Sequence, residues 1–63
     1  MDEDEKSRRT QFAASIMDSI YRLAVVVSGG QWVSGAEAEY EVIRRMLCKE
    51  LGVDEDAVAK LEL

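Results

Sequence analysis

Glycine stands at four positions of this chain and proline at none, and Gly29, Gly30 and Gly52 divide it into three stretches that are each patterned for a helix. Glycine reaches the positive φ that a helix C-terminal cap needs, so each break reads as a stop. From Asp2 to about Val27, Ala13, Ile16, Ile20, Leu23 and Val27 recur at spacings of three and four, with Phe12, Met17 and Ala24 widening the stripe. Gln11, Ser15, Asp18, Ser19 and Arg22 occupy the other side. Asp2/Lys6, Asp4/Arg8 and Glu5/Arg9 each place an acid four residues before a base, which supports a helical leader, although residues 1–9 also read as an end that frays. Val25-Val26-Val27 is β-branched and suits a strand, so a β-hairpin of Leu23–Val27 with Gln31–Val33 competes with the helical reading, which the longer pattern favours.

Beyond the first break, Ser34-Gly35-Ala36-Glu37 fits the S-x-x-E capping box and predicts a helix start at Ser34. Its apolar stripe is Ala36, Tyr40, Ile43, Leu47 and Leu51, and Gly52 followed by Val53 reads as a left-handed stop with its apolar follower. Asp54 then caps a short third helix, with Val53 and Val58 placed as a hydrophobic staple and Leu61 extending the face. The first connection is short enough to make the first two helices antiparallel neighbours. Two antiparallel helices leave one side of their shared seam uncovered, and doubling the hairpin into a dimeric bundle is the simplest cover.

Size points the same way. A compact 7.1 kDa chain buries roughly 6,000 Å² on folding. If about 60% of that is apolar, burial contributes ~90 kcal/mol against ~95 kcal/mol of chain ordering. The terms cancel, so self-association is expected, and the seams that would mediate it carry Ile16, Ile20 and Leu23 on the first helix and Ile43 and Leu47 on the second. Cys48 has no second cysteine to pair with and sits on an amphipathic helix as a small hydrophobe. The longest apolar run, Leu23 to Val27, is far short of the ~20 residues of a transmembrane helix. The acidic start is the opposite of a secretory leader, so a cytoplasmic location and no membrane partner are expected.

Thirteen acids against eight bases give a formal charge of −5, which argues against direct binding to nucleic acid. The sharper reading of that charge is an acidic inhibitor that mimics nucleic acid in the basic groove of a host or defence protein. Helix electrostatics account for most of it: Glu37, Glu39 and Glu41 precede Arg44, Arg45 and Lys49, and Asp54-Glu55-Asp56 precedes Lys60, with acids at the positive end of each dipole. The chain has no histidine, no paired carboxylates with room for a pocket and no phosphate-binding loop, so neither catalysis nor a cofactor or metal is expected. Asp54-Glu55-Asp56 lacks the ligand spread of an EF-hand. Trp32, in the Gly-flanked loop, either closes the end of the hairpin or anchors a protein partner, and Tyr21 and Tyr40 are further partner-binding candidates at the core edge.

The stretch from Ala24 to Glu37, followed by an apolar helix and Leu51-Gly52-Val53-Asp54-Glu55-Asp56-Ala57-Val58, resembles the central helical hairpin of TerB-like tellurite-resistance domains. Matching positions are Gly30, Val33, Ser34, Glu37, Leu51 and Gly52. The family's Asp before the turn glycine is Gly29 here and one extra residue separates Gly30 from Val33, so a cation role for the turn does not carry over. The resemblance implies a helical hairpin and, as a third functional reading, a stress-response scaffold. The expectation is one small all-α domain over residues 1–63, a non-enzymatic protein-interaction module or regulator that forms a homodimer and binds a protein partner.

Overall fold

A computed structural model describes residues 2–30 and 35–62, and its helices are α1 (Glu3–Val27), α2 (Ala36–Leu51) and α3 (Glu55–Leu61). Among the described residues there is no strand, so the chain is all-α and the β-branched run ending at Val27 is the last turn of α1. The leader is helical rather than frayed. Asp2 is the N-cap, its carboxylate accepting the Glu5 amide at 2.7 Å, and Glu5 pairs with Arg9 one turn on at 2.7 Å.

Both glycine breaks do what the sequence predicts. After Ser28, Gly29 and Gly30 take φ of 77° and 94°, the Gly29 amide donating to the Val26 carbonyl and the Gly30 amide to that of Val25, which is a Schellman closure. Gly52 (φ 70°) ends α2, and the Val53 amide donates to the Cys48 carbonyl at 3.0 Å. Asp54 caps α3, its carboxylate accepting the Ala57 amide at 3.2 Å. The start of α2 differs from the capping-box reading: its N-cap is Gly35, with no side-chain cap, and Ser34 lies outside the described residues.

Three cross-chain relationships fix the direction of α2 relative to α1. The Arg9 guanidinium donates to the Leu51 carbonyl at 3.1 Å, the Tyr40 hydroxyl lies 2.9 Å from the Met17 carbonyl, and Ile20 and Ala24 lie across a groove from Ala36 and Ile43. Early positions on α1 therefore meet late positions on α2, and the two run antiparallel. The molecule measures 41 × 16 × 16 Å, its length set by α1, whose residues span about 37 Å at the usual helical rise.

The core is small: Ala13, Ala14 and Met17 of α1, Cys48 of α2 and Val58 of α3, with Ile20, Tyr40, Ile43, Leu47, Leu51 and Val53 packed around them. This corrects the stripe expected for α1 in part: its Ala13 and Met17 are buried and Ile20 packs on the core, whereas Ile16 is half-buried and Leu23 and Val27 are exposed. The face that turns inward is Thr10, Ala13, Ala14 and Met17, rotated by roughly 100° at 100° per residue from the Ile16/Ile20/Leu23/Val27 line. Paired alanines let two other helices approach α1 closely, and the larger aliphatics fall to the flank. Phe12, Leu23, Val27 and Leu61 are exposed.

Candidate functional site

The two sides of the α1–α2 pair are finished differently. On one side α3 returns across α1 and α2 and ends in a polar knot. Glu62, the residue after α3, accepts from Arg44 Nε at 2.8 Å and Nη2 at 3.1 Å, and its Oε1 lies 2.8 Å from the Tyr40 hydroxyl. That hydroxyl has one proton and two acceptors in reach, the Glu62 carboxylate and the Met17 carbonyl, and the charged acceptor is the stronger. Arg44 also lies over the Tyr40 ring at 5.2 Å, and Tyr21 meets that ring edge-on at 6.3 Å. Burial, and then the Glu62 carboxylate, push the Tyr40 phenol well above the ordinary tyrosine range. Four side chains and a main-chain carbonyl thus join all three helices.

Among the described residues the opposite side has no such cover. An apolar groove of about 160 Å³ opens there, lined by Ile20, Ala24, Ala36, Glu39, Tyr40 and Ile43 and by no residue of α3. Leu23 and Val27 on α1 are 64% and 79% exposed, and Val42 and Met46 on α2 are exposed on the flank that leads away from Arg44 and Cys48. The whole chain exposes 4715 Å², where a compact monomer of its mass exposes about 4,100 Å².

The residues singled out for self-association fall mostly on this open side. Ile20 and Ile43 line the groove and, like Leu47, also pack against the core, while Leu23 is exposed and Ile16 is half-buried. Of the partner-contact candidates, Tyr40 is half-buried with its hydroxyl bonded within the chain, and Tyr21 is exposed at the edge of the knot. Trp32 lies outside the described residues, as do Val33 and Ser34 of the TerB-like pattern. Arg44 and Glu62 were not singled out from sequence. The Tyr40/Arg44 spacing of one helical turn was visible, but Glu62 reaches them only because the chain reverses at Gly52–Asp54.

The acidic groups gather at the helix starts. Asp2 to Glu5 lie at the end of the molecule where Arg9 meets Leu51, the end at which Asp54, Glu55 and Asp56 open α3, whereas Glu37 and Glu39 open α2 at the other end. Cys48 is buried, and desolvation followed by the nearby Glu55 pushes its thiol up, away from the reactive thiolate. Among the described residues no three His, Cys, Asp or Glu side chains come together to hold a metal, and no helix is long and apolar enough to cross a membrane. Set beside known protein families, curated proteins and solved structures, the chain matches none.

Proposed function

We propose that this chain is a non-enzymatic interaction module that self-associates through the side of the α1–α2 pair that α3 leaves open. The observation carrying the reading is the pairing of an apolar groove at Ile20 and Ile43 with large exposed aliphatics, Leu23, Val27 and Met46, beside it. Exposed apolar area of this kind is where association gains most, and the five fully buried apolar side chains among the described residues give a lone copy little stability of its own. The acids open each of the three helices, which favours dipole compensation as the reason for their placement over imitation of nucleic acid.

Sedimentation equilibrium at micromolar concentration tests the reading. The expected result is a mass above that of one chain, falling toward the monomer on dilution and insensitive to salt, as an apolar interface requires. A folded monomer throughout that range overturns it.

A further inference from the structure

We propose that a second copy packs its α2 antiparallel along the first α2, on the line Glu39, Val42, Met46 and Lys49, and that each copy's Met46 enters the other's groove at Ile20 and Ile43. This rests on the self-association reading and deepens it by naming the side chain that fills the groove. The four positions are spaced three, four and three apart, the pattern of a helix face that meets another helix. At 100° per residue they point away from Tyr40, Arg44 and Cys48, the side on which α2 makes its contacts within the chain. Val42 is 43% and Met46 64% exposed, and Glu39 and Lys49 are exposed beside them. Glu39 belongs both to this line and to the wall of the groove.

Charge at the groove selects this occupant and its direction. Position 44 is the midpoint of Glu39 and Lys49 and equally of Val42 and Met46. A two-fold axis there sets each copy's Val42 against the other's Met46 and each Glu39 against the other's Lys49, so the face is complementary to itself. Neither Glu39 nor Lys49 has an ion pair among the described residues, whereas the neighbouring Arg45 is paired with Glu55 at 3.5 Å. A parallel pair instead sets Glu39 against Glu39 and Lys49 against Lys49. The groove supplies the second constraint. Its volume is about 160 Å³, and an apolar void of that order holds a benzene-sized group. Antiparallel alignment brings the second copy's Met46, three residues from the Lys49 that meets Glu39, to the level of Ile43, and an unbranched thioether chain adapts to an irregular apolar gap. The rim ion pairs set direction while the buried methionine carries affinity, so association of the parent chain stays insensitive to salt.

Charge reversal, read as the dimer dissociation constant by sedimentation equilibrium at low salt, is the first test. Glu39→Lys should weaken the dimer about tenfold, although one acid fewer and one base more takes the net charge of a chain from −5 to −3, and Lys49→Glu should weaken it similarly. Mixing the two variants, or combining both changes in one chain, should restore the parent's affinity, because each arrangement again sets unlike charges across the seam. Glu50 stands on the groove side of the line, toward the second copy's Glu39, so Glu50→Gln should tighten the dimer about twofold. General repulsion between acidic chains predicts a tighter Glu39→Lys dimer, and that result overturns the seam. Met46→Ala, at a side chain exposed in one copy, should keep the parent's helicity and weaken the dimer about 30-fold. Ala24→Leu, which fills the groove from its own wall, should weaken the parent about tenfold and the Met46→Ala chain little further. Full, independent losses from those two changes overturn the entry of Met46 into the groove. A dimer that ignores every one of these changes overturns the assigned surface while leaving self-association standing, and a monomeric parent overturns both.

Discussion

Glu62 clasps Arg44 with both carboxylate oxygens at 2.8 and 3.1 Å, tying the residue after α3 to the middle of α2. The pair is 8% and 18% exposed, so each partner has given up most of its water, and removing one strands the other. Glu62→Ala should lower the unfolding free energy by about 2 kcal/mol in urea titration, while Glu55→Gln, which breaks the exposed Arg45–Glu55 pair at 3.5 Å, should stay within ~0.5 kcal/mol of the parent. Equal effects from the two variants contradict the knot's structural role.

Tyr40 makes stability depend on alkaline pH. An unfolded tyrosine ionises at about pH 10, and the folded phenol, raised by burial and by Glu62, holds its proton above that. The contribution is therefore complete below about pH 10 and is lost as pH rises beyond it, because the unfolded chain sheds a proton that the folded chain keeps. Urea midpoints taken between pH 8 and 11 should fall less steeply for Tyr40→Phe than for the parent. Parallel curves refute the assignment.

The Cys48 thiol is buried and raised, so a disulfide reagent should reach it only through opening of the fold. At pH 8 its reaction should run at least about 100-fold slower in buffer than in denaturing urea. Immediate stoichiometric labelling of the native chain is the contrary outcome.

Gly30 sits at φ 94° with nothing within 4 Å of where a Cβ would stand. An added methyl group meets a backbone penalty and no steric one. In synthetic chains L-alanine at this position should cost about 1 kcal/mol in thermal unfolding, and D-alanine, which favours that φ, should cost nothing or stabilise. A loss of similar size from both isomers points to a crowded site instead.

Local chemistry was readable in the residues, and what followed from packing was not. Gly29, Gly30, Gly52 and Asp54 each act through atoms within a few residues, so their capping roles appear in the sequence and again in the fold. The α1 stripe illustrates the other kind. Counting apolar positions picked out Ala13 and Met17, which are buried, together with Ile16, Leu23 and Val27, which are not; the inward face was decided by which side chains let three helices meet, and Ala13 and Ala14 do so by being small. Glu62 escaped notice for a related reason: its partners are set by where the Gly52–Asp54 reversal delivers the chain, and no spacing rule spans that bend. Of the candidate surface, Ile20, Leu23 and Ile43 were legible, while the exposure of Val42 and Met46 required knowing which flank α3 covers.

The bond from Arg9 to the Leu51 carbonyl spans 42 positions of a 63-residue chain, and the core it borders takes side chains from the first, second and third helices alike. No contiguous half of the chain holds a complete nucleus. Folding must therefore close its longest loop before the interior rewards it, so this small helical protein should assemble more slowly than a hairpin of neighbouring helices and unfold as one unit rather than piece by piece.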